Sequence, residues 1–479
     1  MPPRLLACGS NAASHLSINH PDDVSILTPT VYHPSLPVIP PESAILDLVS
    51  ASAHSLLLIA PSNAQRANGS RNTLLGAGTN TFGQLGPRCA LWDHVKPEPR
   101  WKSVSLLNSV EVEDKDSWEP VKIAATWTTS FVVYQRSKRN STTNQSSSSS
   151  GLASSGLNGV DQQEGDESIE QIVISCGSND FGESGSSQSP LTLNTPAEIP
   201  ISHASQKPTI VDLGLRQGET VEMIRGGQRH VIVVIQDSKG KQRVMGWGAS
   251  RKGELDAGTI SSLLEVGPSA SGSRSNGASS SKGKGKGKGK AISRPTSSSP
   301  ITIDLPIPHG ERIIDIALGA SHSLALLSNG TVLGWGSNLK NQITDVHALQ
   351  EIRGIAATWN GSYFLTRQNE VLAQGSNTHS QLLRPYCTQS SAEREKIDIP
   401  PGWTVERLVA GSEHLILHMK PKNGEEDGLW TGGWNEHGNL ALMDQGDRDT
   451  LQRVEVGVKG RRIKGVWGGC ASTWVWIDE

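Results

Sequence analysis

The sequence predicts an all-β fold, a single seven-bladed β-propeller closed by pairing of its N- and C-terminal strands. A two-part strand repeat recurs along the 479 residues, the 50 glycines mark many tight turns, and the chain opens and closes on complementary halves of the repeat. Closed β architectures use more residues per domain than most folds, so this length is compatible with one domain. We expect that domain to cover residues 1–479.

The first half of the repeat is an apolar strand entered through a turn of small residues. RIIDIALGASHSLALL from Arg312 and VERLVAGSEHLILHM from Val405 are two examples. Short apolar runs bounded by turn residues are typical of buried β-strands. First halves begin near Ala44, Glu119, Val221, Arg312, Glu351, Val405 and Ile463.

The second half of the repeat is a strand that ends in glycine and leads into a polar hairpin. LLGAGTNTFGQLG from Leu74 and VLGWGSNLKNQI from Val332 show the pattern. Ser328, Asn329 and Gly330 join one first half to the next second half, so the two strands can pair as a tight hairpin. Second halves begin near Arg4, Thr73, Gln171, Val244, Thr331, Glu370 and Leu429.

The two chain ends carry complementary halves of the repeat. RLLACGSNAASHLSIN at the N-terminus is a second half, and IKGVWGGCASTWVWID at the C-terminus is a first half. One blade should therefore combine both termini, which closes the ring and removes exposed sheet edges.

Two low-complexity inserts interrupt the repeats, at about residues 135–170 and 265–300. Both are rich in serine and glycine and contain few apolar residues, so we expect disordered loops. The run KGKGKGKGK from Lys282 to Lys290 favours a solvated linker, and a weak nucleic-acid or import signal is the alternative.

Composition argues against several classes of function. The formal net charge is −3, so no global positive field attracts nucleic acid or an anionic membrane. The chain has no apolar run of about 18 residues and no signal peptide, and we expect a soluble protein in the cytoplasm and also the nucleus. The five cysteines form no C-x-x-C pair, so we expect no disulfide, metal or cofactor. No nucleophile elbow, phosphate loop or zinc-ligand pattern is present, and we expect no enzymatic activity.

The repeat, with its V-x-x-W-G-S-N core, resembles the regulator-of-chromosome-condensation propeller family over essentially the full chain. The final third resembles more closely the short fungal propellers of the α-tubulin-suppressor type, through GSNTHSQL from Gly375, AGSEH from Ala410, GGWNEHGN from Gly432 and GGCASTW from Gly468. This resemblance implies a non-catalytic scaffold that pairs with a small zinc-ribbon protein of the diphthamide pathway. It also implies support of diphthamide synthesis on elongation factor 2 and of Elongator-dependent wobble-uridine modification in transfer RNA. The two long inserts depart from those compact relatives.

Two other functions remain open. The first is guanine nucleotide exchange on a small nuclear GTPase, the activity of the propeller that gave the family its name. That function favours a basic N-terminal arm, whereas only Met1 to Arg4 precede the first predicted strand. The second is a tubulin- or ubiquitin-pathway adaptor, for which the sequence offers no appended domain or basic tract.

Histidines recur at one place in the first halves of the repeat. His54, His230 and His322 share it, and repetition predicts a structural role in which the ring donates a hydrogen bond to a neighbouring backbone carbonyl. His414 occupies the same place, but Glu413 adjoins it and makes partner contact an alternative.

Trp127 and Trp359 stand in the turn that Ala320 or Ser412 fills in other repeats. They could fill a wide propeller centre or act as exposed anchors for a partner. The 13 tryptophans against 4 Phe and 4 Tyr favour the anchor, because tryptophan dominates interface hot spots.

The hairpin tips of the last repeats carry aromatic, acidic and imidazole groups. His379 and His437 fall where Phe82 and Phe181 fall in other repeats, and for these tips packing and partner contact are equally compatible with the sequence. The predicted partner-binding residues are Trp127, Trp359, His379, Glu413, His414, Trp434, Glu436 and His437.

Overall fold

Seven antiparallel β-sheets in the described residues stand in a ring as the blades of a propeller. The structure is a computed structural model, and it describes residues 4–87, 96–139, 167–186, 207–258, 296–385, 391–423, 426–456 and 462–478. Six sheets have four strands and one has three. The predicted all-β, seven-bladed architecture is confirmed.

The strands are numbered in chain order. The first fourteen are β1 (Arg4–Gly9), β2 (Val24–Pro29), β3 (Ala44–Ser50), β4 (His54–Ala60), β5 (Thr73–Gly78), β6 (Glu98–Ser103), β7 (Glu119–Ala125), β8 (Thr129–Arg139), β9 (Glu167–Gly177), β10 (Thr209–Val211), β11 (Thr220–Gly226), β12 (His230–Gln236), β13 (Gln242–Ala249) and β14 (Thr296–Thr302). They are followed by β15 (Ile313–Leu318), β16 (His322–Leu327), β17 (Val332–Gly336), β18 (Ile352–Ala357), β19 (Gly361–Thr366), β20 (Val371–Gly375), β21 (Ser391–Ile397), β22 (Trp403–Ala410), β23 (His414–Pro421), β24 (Gly428–Gly433), β25 (Arg448–Val454), β26 (Ile463–Gly469) and β27 (Ser472–Ile477).

Helical structure is confined to short connections. A five-residue helix α1 (Asn63–Ala67) and the 3-10 turns Leu107–Ser109, Lys115–Ser117 and Val346–Ala348 lie between strands. Over the described ranges, no helix has the length and apolar character needed to cross a lipid bilayer.

Each blade runs outward from the centre of the ring in strand order. Blade 1 contains β26, β27, β1 and β2, blade 2 contains β3 to β6, blade 3 β7 to β10, blade 4 β11 to β14, blade 5 β15 to β17, blade 6 β18 to β21, and blade 7 β22 to β25. The first strand of every blade contacts the first strands of both neighbouring blades, so these strands enclose a central channel.

Blade 1 is built from both ends of the chain, as predicted. β1 pairs antiparallel with β27 from Arg4 opposite Ile477 to Gly9 opposite Ser472. The strand is apolar at consecutive positions because both of its faces are covered. Leu5 packs in the core between blades 1 and 2, whereas Leu6 packs in the core between blades 7 and 1.

The hydrophobic core is divided among the seven junctions between neighbouring blades. Trp247 and Trp335 are fully buried in two of them. Their indole Nε1 atoms donate to the backbone carbonyls of Glu183, at 2.8 Å, and Glu254, at 2.9 Å, in the preceding blades. Packing and hydrogen bonding therefore act together across the blade junctions.

The recurring histidines join neighbouring blades through side-chain hydroxyls. The Nε2 atom of His54 lies 2.9 Å from Ser130 Oγ, and that of His322 lies 3.1 Å from Ser362 Oγ. His230 with Ser323 and His414 with Thr473 repeat the contact at 3.2 and 3.0 Å. The prediction of a structural role holds for these positions, but the predicted partner was wrong, since a hydroxyl of the next blade replaces a backbone carbonyl.

At some junctions between blades, the histidine and its hydroxyl partner are both replaced by other residues. Blades 3, 6 and 1 have Thr129, Gly361 and Ser472 in place of the histidine. The blades after 3 and 6 have Val231 and Leu415 in place of the hydroxyl residue, whereas blade 2 keeps Ser55, whose Oγ donates to Ser50 Oγ at 3.0 Å. A buried hydroxyl without a partner is costly, so at two of these three junctions the hydroxyl is replaced as well, and at the third it bonds another serine. We call the four His and Ser/Thr pairs the blade clasps.

Every third strand has a glycine at its last or next-to-last position, and Gly336 shows why. Its φ is +94°, and a Cβ there would lie 2.5 Å from the carbonyl oxygen of Ser321 in the turn between the first two strands. The equivalent glycines, Gly9, Gly78, Gly177, Gly248, Gly375 and Gly433, also have positive φ. The third strand can therefore close on the turn only without a side chain.

The strands extend into both predicted inserts. β8 and β9 stay in register out to Arg139 opposite Glu167, and Arg136 Nε bonds Glu170 Oε2 at 2.7 Å, so polar residues here continue a hairpin. Residues 296–300 belong to β14. The remainder of both inserts, the Lys282–Lys290 run, Cys89 and Cys387 lie outside the described residues. Cys8 and Cys176 are buried free thiols, and Cys470 is a half-buried one.

Candidate functional site

The central channel opens on two faces of the ring. The face that carries the turns between the first and second strands of each blade is called the upper face. Because successive strands of a blade are antiparallel, the loop after each third strand reaches the same face, and we call it a tip loop. The backbone N–H of Trp434 in the last tip loop donates to the carbonyl of Glu413 in a turn at 3.0 Å, which joins the two sets.

The channel is a cavity of about 630 Å³ lined by all seven first strands. Its wall includes the charged residues Asp47, Arg225, Asp315 and Arg407. Burial raises the pKa of both carboxyl groups, and the Arg225 guanidinium lowers it in part. The wall therefore carries groups of both signs.

Trp127 and Trp359 meet across the upper mouth of the channel. Their ring centroids are 5.8 Å apart, with an interplanar angle of 87°. The two residues come from blades 3 and 6, so the contact spans the ring. Both side chains are only half-buried. They fill the mouth and still expose part of their surface, which is compatible with both interpretations that the sequence left open.

Backbone contacts between blades hold both tryptophans in place. The N–H of Trp359 donates to Ser412 O at 2.7 Å, and the N–H of Trp127 donates to Gln228 O at 3.1 Å. Each acceptor lies in the following blade. These bonds fix the backbone that carries the two indoles, so less freedom is lost if the surface binds a ligand.

A second aromatic group follows the tip loops of blades 6 and 7. The Trp434 ring lies 6.1 Å from the His379 ring and 5.3 Å from the His437 ring, measured between centroids. His437 Nδ1 also lies 2.7 Å from Asp23 Oδ2 of blade 1. His379 and Glu436 are exposed, and Trp434 is half-buried.

Glu413 and His414 lie beneath this surface. The Glu413 carboxylate accepts from Gln381 Nε2 at 2.9 Å and from Asn360 Nδ2 at 3.4 Å. Burial raises its pKa to about 7, and these two donors oppose the shift. His414 is fully buried in a blade clasp. Among the eight predicted residues, these two therefore support the upper face from below.

The tip loops are braced from within. Asn435 Oδ1 accepts from Leu440 N at 2.8 Å, and Asn377 Oδ1 accepts from Leu382 N at 2.9 Å. Gln381 Oε1 also accepts from His379 N at 2.7 Å. These bonds fix the backbone that presents His379 and His437.

Arg229 and Phe181 also lie on the upper face, although neither was among the predicted partner-binding residues. The Arg229 guanidinium lies 3.9 Å from the Phe181 ring centroid and 5.5 Å from that of Trp127. The available signal was the position before the clasp residue, which holds small or polar residues in most blades and charged side chains only at Arg229 and Glu413.

A metal site does not emerge from the part of the chain that the structure describes, where no group of three or more His, Cys, Asp or Glu could hold an ion. The face instead combines fixed aromatic surface with a polar surround. Arrangements of this kind suit protein contacts.

Comparison with known proteins gives a repeat family and a fold. Residues 313–342 match the model of the regulator of chromosome condensation (RCC1) repeat. The chain is 30% identical over 159 residues to the Arabidopsis thaliana ultraviolet-B receptor UVR8, an alignment that covers 30% of this chain and 35% of the receptor.

Two crystal structures resemble the whole ring. Human WBSCR16 superposes with a TM-score of 0.62 and 16% identity, covering 99% of this chain and all of the other. Prp20p from Saccharomyces cerevisiae, whose binding to Gsp1p and histones was studied with its structure, superposes at 0.61 with 15% identity, covering 100% and 92% of the two chains. At these identities the likeness concerns the fold alone.

Proposed function

We propose that this RCC1-like β-propeller is a non-catalytic scaffold that binds a partner protein on its upper face. The observation that carries the proposal is the Trp127 and Trp359 pair, fixed at 5.8 Å over the channel mouth with indole surface still exposed. Preorganised, partly exposed tryptophans are the typical anchors of protein interfaces.

The proposed partner is a small zinc-ribbon protein of the diphthamide pathway. The resemblance to α-tubulin-suppressor propellers supports this choice, and it covers the segments that form the tip loops of blades 6 and 7. Through that pair the chain would support diphthamide synthesis on elongation factor 2 and Elongator-dependent modification of the wobble uridine in transfer RNA. We place this work in the cytoplasm and the nucleus.

Truncation of an anchor should weaken the complex. We expect Trp359→Ala or Trp434→Ala to raise the Kd for the zinc-ribbon protein about 30-fold, which corresponds to about 2 kcal/mol. The reason is the loss of fixed indole surface that desolvates on binding. Isothermal titration calorimetry with the two purified proteins measures the change.

Trp403→Ala is the matched control. Trp403 is another half-buried tryptophan, and it lies at the start of β22, on the face of the ring opposite to the upper face. This substitution should leave the Kd within about 3-fold. Unchanged affinity in both upper-face variants would remove the proposed surface. A release assay with labelled GDP bound to a small nuclear GTPase tests the alternative function, guanine nucleotide exchange. Faster GDP release in the presence of this chain, with no binding of the zinc-ribbon protein, would favour exchange.

A further inference from the structure

The upper face contains an arginine that is held by two aromatic rings. Arg229 lies in the turn between β11 and β12 of blade 4. Its guanidinium is 3.9 Å from the ring centroid of Phe181, in the tip loop of blade 3, and 5.5 Å from that of Trp127. A planar guanidinium stacked in this way loses little further freedom when it binds a ligand.

This guanidinium has no carboxylate partner in the described residues. Its contacts there are the two rings, and no ion pair or hydrogen bond engages its N–H groups. Glu183 is the carboxyl group near enough for Arg229 to lower its pKa, but burial raises that pKa to about 7. With respect to the described residues, the N–H donors of Arg229 are therefore available to a ligand.

Blade 4 also supplies the surrounding positive charge. Its tip loop exposes Arg251 and Lys252 beside the single exposed acid Asp256, and Arg225 is exposed in the channel wall on β11, the strand that leads into the turn of Arg229. Across the face, blades 7 and 1 expose acidic residues such as Glu436 and Asp22. An acidic ligand is therefore drawn to the side of the mouth where Arg229 lies.

We propose that Arg229, clamped between Phe181 and Trp127, binds a carboxylate of an acidic peptide segment whose apolar residues cover the tryptophans at the channel mouth. The inference rests on the proposed scaffold function and adds the chemistry of the segment that is bound. A guanidinium offers two parallel donors that match the two oxygens of a carboxylate. A phosphate group fits less well, because Asp180 is exposed beside Phe181 and opposes a second negative charge.

A random dodecapeptide display library tests the ligand class on the immobilised full chain. The wild-type protein should enrich peptides that share an Asp or Glu at one position next to apolar residues. The Arg229→Gln variant should lose that acidic position. No enrichment, or enrichment of sequences without an acidic position, would overturn the proposal.

A synthetic consensus peptide then measures the contact. Arg229→Gln should raise its Kd at least about 10-fold, the range for a charge-assisted hydrogen bond, and Arg229→Lys should recover only part of the affinity. Arg251→Gln is the matched control, because it removes one exposed charge from the same blade, and it should change the Kd by less than about 3-fold. Equal effects of Arg229→Gln and Arg251→Gln would show that general charge, and not the clamp, binds the peptide.

A double-mutant cycle identifies the partner group. Replacement of the consensus acid by its amide should cost as much as Arg229→Gln, and the two changes together should cost little more than either alone. Tighter binding of a phosphoserine peptide than of the acidic one would assign a phosphate ligand and overturn the carboxylate proposal. If Arg229→Gln leaves peptide binding unchanged while Trp359→Ala still weakens the zinc-ribbon complex, the inference fails and the scaffold function stands.

Discussion

Deletion of residues 1–9 is expected to abolish the folded propeller. The deletion removes β1, whose buried residues Leu5, Leu6, Ala7 and Cys8 belong to the cores on both sides of blade 1. Burial of each large apolar side chain contributes about 1.5–3 kcal/mol. Leu5 and Leu6 together contribute about 3–6 kcal/mol. With the lost pairing to β27, the cost reaches the range of a typical domain's whole stability, about 5–15 kcal/mol. Far-ultraviolet circular dichroism and proteolysis should report an unfolded chain.

A circular permutant is the matched control for this deletion. Arg4 lies opposite Ile477 in the ladder, so the five residues from 478 and 479 through 1–3 can join β27 directly to β1. Cutting the chain between residues 258 and 296 then keeps every strand of blade 1. The permutant should fold with stability equal to or above that of the wild type, because the sheet is retained and the clasp becomes a local hairpin. A stable deletion variant, or an unfolded permutant, would contradict the role of closure.

The ring was predictable from sequence because its signals are local. Each repeat carries its own apolar strand, turn and terminal glycine. The complementary halves at the two chain ends indicated a blade shared between them. The same locality explains why Trp127 and Trp359 could be singled out: each breaks its own repeat. Their meeting over the mouth needed the structure, because it depends on which blades face each other.

The contacts between blades could not be predicted from the sequence, because the spacing of the contacting residues is not constant. Ser130 lies 76 residues after His54, whereas Ser362 lies only 40 residues after His322. Insertions of different length separate successive blades, so no constant spacing reveals the clasp. The Arg229 site depends in the same way on two blades, since its two rings belong to blade 3 and its guanidinium to blade 4.

Acidification should unfold the ring before most carboxyl groups are protonated. Burial lowers the pKa of five histidines from 6.5 to between about 3 and about 4, namely His15, His54, His230, His322 and His414. The unfolded chain takes up these protons below about pH 6.5, and the folded chain does not. The contribution of these five histidines to the free energy of unfolding is therefore fully present above pH 6.5 and is lost as the pH falls toward 4.

Buried carboxyl groups act in the opposite direction. Burial raises the pKa of Glu183 and Glu413 from 4.5 to about 7, so the folded chain keeps protons that the unfolded chain has lost between those values. Burial also raises the pKa of the Asp47 and Asp315 carboxyl groups, so four carboxyl groups offset part of the effect of the five histidines. We expect the free energy of unfolding to decrease as the pH falls from 6.5 to 4.5, as measured by urea titration at several pH values.

Two variants of one blade clasp separate protonation from hydrogen bonding. His322→Gln removes one titrating group, and its amide nitrogen can take the place of Nε2 toward Ser362, so the pH dependence should fall by about one proton. Ser362→Ala keeps the buried imidazole and removes its partner, so it should cost about 1–3 kcal/mol at every pH and leave the slope unchanged. Equal slopes in wild type and His322→Gln would show that His322 does not set the acid limit. The clasp would then hold the blades together without making the ring sensitive to acid.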